Sequence, residues 1–251
     1  SDVYKRQNGC FPADAQVRTP EGTKRMAELS VGDQVLAMDA QGRLFFDDIY
    51  FFGHADSQTL APMVQLQLSG AALELELTPD HFLHRCPRPE PCTWSEAEAA
   101  YAADVRPGAF VWARVGGELA AARVLSQRIA PKRGLFNPYT LSGTIVVNDV
   151  VASAHSSWIL DAWVPASFVK HLPSVYQAIF LPGRWIYGIF GEQAADWMGV
   201  NSPQKQDRVW RAYTLAGTSL ACFFLFPLAL ALALPASRAP LGSRPWAKAK
   251  L

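Results

Sequence analysis

The sequence has almost no excess of charge of either sign. Its 23 Lys and Arg residues face 22 Asp and Glu residues, and the formal net charge is +1. Nucleic-acid backbones are bound through clustered positive charge, so the charge balance argues against a nucleic-acid partner. Charged residues make up 18% of the chain and hydrophobic residues 50%. This composition excludes an intrinsically disordered protein and allows one or two domains with hydrophobic cores.

Cysteine is also scarce, with four residues in the whole chain. Two of them, Cys86 and Cys92, flank the proline-rich loop "CPRPEPC". This spacing predicts a small disulfide loop, as in proteins of the secretory compartment, and the alternative is a pair of loop thiols. A zinc site is a third hypothesis, because His81 and His84 are near in sequence, but such a site needs about four N or S ligands. We expect neither a metal nor another cofactor.

The chain lacks an initiating methionine, and "SDVYKRQ" lacks the apolar run of a signal peptide. We interpret residues 1–9 as a remnant of an upstream segment or as a cloning or assembly scar. We expect the natural protein to extend upstream of Gly9.

Short apolar runs predict a mainly β domain over residues 10–157. The runs "AQVRT", "DQVLAMD" and "LFFDDIYFF" are separated by the turn sequences "PEGT", "VGD" and "AQGR". In "MVQLQLSG" and "ALELELTPDH" apolar and polar residues alternate, which is typical of a half-buried strand. "GTIVVNDVVAS" predicts a further strand, and "TWSEAEAAYAAD" predicts one short helix with Thr93 or Ser95 as its N-cap.

An internal repeat links two parts of this region. "AELSVGDQVLA" (27–37) and "ADVRPGAFVWA" (103–113) share Ala, an acidic residue, an aliphatic residue, Gly, Val and a final Ala at equal spacing. In both, the glycine marks a turn and the residues after it a strand. The repeat predicts a pseudo-twofold domain that is built from two similar halves.

Aromatic residues are dense after Ser157, and prolines limit the segment 158–198 to short helices. This density is typical of a membrane-interface layer, but a helical subdomain packed on the β domain is an equal alternative. We assign 158–211 as an aromatic-rich, membrane-proximal region.

A charge-free run extends over residues 212–237. It is long enough to cross a bilayer, and we predict a transmembrane helix at 212–234. The tail that follows, 235–251, is basic and contains no acidic residue. The positive-inside rule places such a tail in the cytosol. We therefore expect a single-pass membrane protein whose β domain is luminal or extracellular, in the secretory pathway.

The sequence "LTPDHFLH" holds a hydroxyl and an imidazole at a fixed spacing. Pro79 suits the second position of a type I turn, because its φ is already fixed. Such a turn brings Thr78 and His81 together on one corner. Alone, the pattern is a weak signal, and a solvated hairpin turn with an incidental histidine explains it better.

A Gly-Cys pair, Gly9 and Cys10, at the start of the β domain favours a chemical role for Thr78 and His81. The sequences "GCFPADAQV", "MAELSVGDQVLAMD", "VQLQLSGAALELELTPDHFL" and "GTIVVNDVVAS" resemble, in order and spacing, the Hint domain of hedgehog proteins, a self-processing module related to inteins. The resemblance covers residues 10–160. It implies a mainly β, Hint/intein-like fold that acts in cis as an autoprocessing cysteine endopeptidase and acyl transferase.

The resemblance also implies residue roles. The Cys10 thiol attacks the Gly9 carbonyl by an N-to-S acyl shift, which makes a thioester. Thr78 hydrogen-bonds the scissile unit as negative charge develops on oxygen, and His81 protonates the departing nitrogen. A second nucleophile then releases the upstream segment. This nucleophile is cholesterol in hedgehog proteins, and water, another sterol or an amine in relatives. The implied partners are the upstream segment itself, a sterol acceptor and the membrane.

The sequence departs from the hedgehog pattern at several positions. His54 stands where hedgehog proteins usually carry the aspartate that activates the sterol hydroxyl; His54 is a candidate base, with Asp56 as the fallback. Ala154 replaces a cysteine of animal hedgehogs. His155 is interpreted as a structural histidine, or else as a second catalytic group. Asn148 is predicted inside a strand, and no intein-type ending is present, so protein splicing is not expected.

Two other functions compete with self-processing. One is an inactive Hint-fold domain that serves as a membrane-tethered structural module. The other is a papain-like cysteine protease acting in trans, which needs an oriented base and an open substrate groove. A cysteine at the very start of its domain fits a trans-acting protease poorly.

Overall fold

The computed structural model describes residues 9–191 and Gln193. Within this part of the chain β-strands dominate, so the predicted mainly β class is confirmed. The strands are β1 (Gln16–Thr19), β2 (Gly22–Arg25), β3 (Gln34–Met38), β4 (Leu44–Leu68), β5 (Leu75–Leu77), β6 (His81–Arg85), β7 (Glu98–Tyr101), β8 (Phe110–Val115), β9 (Glu118–Thr140), β10 (Thr144–Val147) and β11 (Val150–Ser156). The α-helices are α1 (Leu172–Ile179) and α2 (Leu181–Phe190).

The strands join in one sheet in the order β2-β1-β10-β11-β6-β8-β9-β4-β3. In addition, β5 pairs with β4 and β7 pairs with β6. The long strands β4 and β9 pair antiparallel over most of their length, with several shifts of register. This order places β6 next to β11, and the first residues of the domain reach β9 through an antiparallel bridge between Phe11 and Phe136.

The two segments of the predicted repeat adopt the same local structure. Each begins at a 3-10 turn, Met26–Glu28 in one and Ala102–Asp104 in the other. Each then passes through a glycine with φ 94°, Gly32 or Gly108, and continues as a strand. Positive φ suits glycine in particular, because it has no Cβ.

The helix predicted in "TWSEAEAAYAAD" is wrong. Only Trp94–Glu96 and Ala102–Asp104 form 3-10 turns, and Glu98–Tyr101 between them is strand β7. The alanines and glutamates favour a helix locally, but pairing of these residues with β6 overrides that preference. The predicted cap does occur, since Thr93 and Glu96 form a reciprocal capping box on the first turn.

The single strand predicted in "GTIVVNDVVAS" is a hairpin instead. Strands β10 and β11 flank Asn148 and Asp149, which have φ values of 49° and 62°. A two-residue turn with positive φ at both positions matches the twist of the paired strands. Asn148 therefore lies in a turn, where its Oδ1 accepts a 2.7 Å hydrogen bond from the Gln16 amide.

Apolar side chains from both halves meet in one main core. The cluster includes Val35, Leu66, Leu83, Val111 and Ile145, all fully buried. These residues come from five different strands, so formation of this core fixes the relative positions of the strands that carry the candidate site.

The helical segment after β11 packs on the β domain. Phe180 and Tyr187 lie in a buried cluster with Tyr50, Phe51 and Tyr139. The described part of the aromatic-rich region thus has the packing expected of a helical subdomain. Neither helix within residues 9–191 and 193 has the length and apolar character needed to cross a bilayer. The predicted transmembrane helix at 212–234 and the basic tail lie outside the described residues.

Candidate active site

The Gly-Cys pair and the Thr-x-x-His corner meet in the structure. The Cys10 amide nitrogen donates a 2.8 Å hydrogen bond to Thr78 Oγ1, and the Thr78 amide donates a 2.9 Å hydrogen bond to the Cys10 carbonyl. Both residues are buried. The resemblance implies that Thr78 hydrogen-bonds the scissile unit, and in the structure its hydroxyl contacts the nitrogen of the Gly9–Cys10 peptide.

Local geometry holds this corner in place. β5 ends at Leu77 and β6 begins at His81. Between them the His81 amide donates a 3.1 Å hydrogen bond to the Thr78 carbonyl, which closes a four-residue turn with Pro79 at its second position. The two strands therefore present a hydroxyl and an imidazole from one short connection.

The His81 imidazole is fully buried and is held at one end. Its Nε2 lies 2.7 Å from the Ser153 carbonyl oxygen. Since a carbonyl only accepts hydrogen bonds, Nε2 carries the proton of the neutral ring. Nδ1 makes no hydrogen bond of good geometry among the described residues. Burial lowers the pKa of His81 to about 4, against the opposing effect of the nearby carbonyls of Ser153 and Gly9. At neutral pH the ring is thus neutral, with a lone pair on Nδ1.

The Cys10 thiol needs help to react. Its side chain is fully buried, and burial, followed by the negative charge of Asp56, raises the pKa of the thiol well above its ordinary value. The thiolate is the reactive nucleophile. A base must therefore take the thiol proton during the reaction, and the lone pair of His81 is suited to this because the ring lies beside the same peptide.

Gly9 fits its place because it has no side chain. A Cβ at this position would lie 2.4 Å from the Ser156 Cβ and 2.9 Å from the His81 Cα. Both distances are shorter than side-chain contacts in folded proteins, so any larger residue must push the scissile peptide away from the corner.

We expect Gly9→Ala to slow cleavage by about 100-fold, because small misplacements of reacting groups have effects of this size. Release of a reporter fused upstream measures the rate. Gly188→Ala is the matched control, since Gly188 lies in α2 with open space around its missing Cβ. Equal rates for Gly9→Ala and the unmodified chain would show that the close approach is irrelevant.

The other candidate base, His54, lies at an irregularity of β4. Phe52 pairs with Pro138 and Ala55 pairs with Phe136, so His54 stands within a register shift opposite Asn137. His54 Nε2 is buried and has no hydrogen-bond partner among the described residues. Burial lowers the pKa of His54, although the charge of Asp56 opposes this effect.

Asp56, the fallback base, is engaged elsewhere. It is an exposed residue that accepts hydrogen bonds from the Gln58 amide at 2.7 Å and from the amide and hydroxyl of Thr59. These hydrogen bonds lower the pKa of its carboxyl group. The carboxylate therefore stabilises a turn of its own.

Sequence reasoning missed two buried polar residues of β9, Asn137 and Tyr139. Asn137 is 0% exposed, and its Nδ2 donates a 3.4 Å hydrogen bond to the Tyr139 hydroxyl. Burial and then the charge of a Cys10 thiolate raise the pKa of Tyr139. The available signal was an Asn-Pro pair inside the apolar stretch "GLFNPYTL".

His155 contacts the helical segment. Its Nε2 lies 2.7 Å from Gln177 Oε1 on α1, and Gln177 in turn donates a 2.6 Å hydrogen bond to the Leu141 carbonyl. The ring also lies 5.2 Å from the Tyr139 ring, centroid to centroid. These contacts connect β11 to α1 and to β9 through the His155 ring.

Three buried histidines predict that acid destabilises the fold. Burial lowers the pKa values of His81, His84 and His155 from 6.5 to about 4. Below pH 6.5 the unfolded chain binds protons that the folded chain does not, so stability is lost as pH falls from 6.5 toward about 4. Urea unfolding over this range should show a midpoint that falls with pH, because each of these histidines takes up a proton on unfolding. His54, whose pKa burial also lowers, adds to the effect. In His84→Phe the contribution of His84 should be lost. A midpoint that is independent of pH would contradict this.

The sulfur atoms of Cys86 and Cys92 form a disulfide in the structure. It closes the loop between β6 and β7. Because both sulfurs are used in this bond, neither is a zinc ligand.

Comparisons with known proteins agree with this geometry. The family model described as the Hint module matches residues 1–209. Warthog protein 1 of Caenorhabditis elegans is 29% identical over 147 residues, which are 59% of this chain and 29% of that protein. Sonic hedgehog protein of Danio rerio is 34% identical over 160 residues, which are 62% of this chain and 38% of that protein. The chain thus spans well under half the length of these curated relatives.

Among solved structures, a DnaB intein from Synechocystis sp. PCC 6803 is similar with a TM-score of 0.48 and 10% identity, over 60% of this chain and 99% of the intein. A likeness at this level is weak, so the family assignment rests on the family model and the hedgehog relatives. The chain belongs to the Hint module family and is a Hint domain of the hedgehog type.

Proposed function

We propose that this chain cleaves itself at the Gly9–Cys10 peptide bond and transfers the upstream segment to a second nucleophile, which is a sterol or water. The observation that supports this most is the 2.8 Å hydrogen bond from the Cys10 amide to Thr78 Oγ1, beside the neutral His81 ring. The Cys10 nucleophile, the Thr78 hydroxyl and the His81 imidazole thus all lie at the Gly9–Cys10 peptide. Membership of the Hint family supports the same reaction type.

The first step conserves protons within the site. The Cys10 thiol gives its proton to His81 Nδ1 and its sulfur attacks the Gly9 carbonyl carbon. The C–N bond then breaks, and the proton on Nδ1 moves to the departing nitrogen of Cys10. The product is a Gly9 thioester with a new amino terminus at Cys10. His81 acts first as base and then as acid, which extends the acid role predicted from the sequence.

Thr78 acts on the leaving nitrogen in this account. Its hydroxyl accepts the hydrogen bond from the Cys10 N–H and holds the nitrogen in a fixed orientation. A nitrogen held in this way remains next to the imidazole while its bond to carbon weakens. The imidazolium, once formed, has Nδ1–H near the Gly9 carbonyl and stabilises the negative charge that develops there.

A trans-acting cysteine protease is the weaker alternative, because Cys10 is 0% exposed and a foreign peptide would have to reach it. Dilution separates the two. A reporter fused upstream of Gly9 should be released with first-order kinetics and a rate constant that is independent of chain concentration. A rate constant that falls on dilution, or cleavage of added peptides, would contradict cis processing. Absence of release under all conditions would favour the inactive structural module.

A membrane setting is the second part of the proposal. The exposed face of α2 carries Leu181, Trp185 and Ile189 at helical spacing, with 40%, 69% and 74% of each residue exposed. An apolar face of this kind suits a bilayer surface, where a sterol acceptor would be supplied. The Cys86–Cys92 disulfide suits the secretory compartment.

Protease protection in sealed microsomes tests this topology. Protease added outside should remove the basic tail and spare residues 9–190. Digestion of the β domain from outside would contradict the proposed luminal or extracellular position.

A further inference from the structure

A second group of buried polar atoms lies beside Cys10 and is not used in the first step. It consists of His54, Asn137 and Tyr139. Between the pairs Phe52–Pro138 and Ala55–Phe136, strand β4 has two residues, Gly53 and His54, where β9 has only Asn137. Such a bulge redirects side chains and is common next to active sites.

Two of these polar atoms are buried side-chain atoms with an unused hydrogen-bonding capacity among residues 9–191 and 193. Neither His54 Nε2 nor Asn137 Oδ1 has a hydrogen-bond partner in the part of the chain that the structure describes. A buried polar atom without a partner is costly, so an orphaned pair opposite each other across a bulge indicates that a small polar molecule completes them. Both atoms can accept hydrogen bonds, Nε2 when the neutral ring carries its proton on Nδ1.

The pair is close to the reacting bond. Phe11, the residue after Cys10, donates a 2.8 Å hydrogen bond from its amide to the Phe136 carbonyl, next to Asn137. On the far side of β9, Phe136 pairs with Ala55, next to His54. The Tyr139 hydroxyl accepts a 3.4 Å hydrogen bond from Asn137 Nδ2. A negative charge on Cys10 would raise the pKa of the same hydroxyl, so Tyr139 interacts with both the bulge and the nucleophile.

The space at this bulge is small. A Cβ added to Gly53 would lie 2.9 Å from a ring carbon of Tyr139 and 3.2 Å from Asn137 Nδ2. Even a methyl group would therefore crowd these side chains. The side chains of Tyr139 and Asn137 already fill the space beside Gly53, which leaves no room there for the ring system of a sterol.

We propose that His54 Nε2 and Asn137 Oδ1 bind the water molecule that hydrolyses the Gly9 thioester. This inference rests on the proposed function, because it assigns the second nucleophile of the same site. The two acceptors take the two hydrogens of the water and leave an oxygen lone pair for the Gly9 carbonyl carbon. The C–O bond forms and the C–S bond breaks. His54 takes one proton from the water and returns it to the departing Cys10 sulfur. The products are a Gly9 carboxylic acid and the Cys10 thiol.

The test uses the full chain with an upstream reporter, in water labelled with heavy oxygen and in the presence of sterol-containing vesicles. One arm has no added nucleophile, and the other contains dithiothreitol, which attacks the thioester directly. In the first arm we expect the released fragment to carry one heavy oxygen in its Gly9 carboxyl group. His54→Phe and Asn137→Leu should each slow this release by about 100-fold, the typical contribution of a positioned base, and leave the dithiothreitol arm unchanged.

His54→Phe and Asn137→Leu each remove an orphaned polar atom and keep a similar side-chain shape. Asn137→Leu also removes the 3.4 Å hydrogen bond from Nδ2 to the Tyr139 hydroxyl, which is long, so the fold should tolerate both variants. His171→Phe, at an exposed histidine, is the matched control and should be unchanged in both arms. Hydrolysis at the normal rate in both variants, a sterol adduct on the fragment, or loss of both arms in both variants would overturn the water site. Failure of the unmodified chain in the dithiothreitol arm would instead refute the thioester, and with it the proposed function.

Discussion

Cys10→Ala abolishes release of a reporter fused upstream of Gly9. The methyl group cannot attack the Gly9 carbonyl, so no thioester forms and the peptide is as stable as any other. The effect is the largest expected of any single substitution, because the bond-forming atom itself is removed. Cys10 is fully buried and alanine is only slightly smaller, so the fold should remain. Gel analysis of the fusion over time measures the loss.

A mixing experiment adds the necessary control. Purified Cys10→Ala fusion is incubated with the active chain, which should leave it intact because each chain acts only on its own peptide. The double variant Cys86→Ala, Cys92→Ala removes a disulfide instead of the nucleophile and should still release the reporter. Cleavage of the Cys10→Ala fusion, either alone or by the added active chain, would show that another group or another mechanism cuts the bond.

His81→Gln slows release by about 100- to 10,000-fold, the range in which a general acid-base group acts. The glutamine amide can still donate a hydrogen bond to the Ser153 carbonyl, as Nε2 does now, so the turn and the sheet should be preserved. What is lost is the ability to accept the thiol proton and return it to nitrogen. The release rate, together with the urea midpoint of the same variant, separates chemistry from folding.

The pH profile of the unmodified chain checks the same residue. The reaction needs the neutral imidazole, and burial lowers the pKa of His81 from 6.5 to about 4. Activity should therefore stay level as pH falls through 6.5 and decline only as pH approaches about 4. An inflection near 6.5 would show that the ring titrates as an exposed histidine does and that its burial is not the controlling feature.

Several strands and the turn at the candidate site could be predicted from local sequence patterns. Short apolar runs located β1, β3 and the first part of β4, and alternation located the end of β4 and β5. Pro79 with its neighbours located the turn that places Thr78 and His81 together. Both features depend on residues close in sequence, so propensity and period are enough to find them.

Features that depend on distant partners could not be predicted in the same way. Residues 98–101 form a strand because β6 offers an edge to pair with, and no local pattern contains that information. The contact of Thr78 with the scissile nitrogen depends on where Cys10 enters the sheet. The bulge that sets His54 opposite Asn137 depends on the register of two long strands, which the sequence of either strand alone does not specify.

The central claim is the thioester between Gly9 and Cys10, and hydroxylamine capture tests it most directly. Hydroxylamine attacks thioesters much faster than amides, so the full chain treated with it should release an upstream fragment that ends at Gly9 and carries a hydroxamate. The remaining chain should begin with Cys10. Mass spectrometry identifies both products. A fragment that ends at any other residue, or no hydroxamate at Gly9 while the folded chain still cleaves itself, would contradict the account.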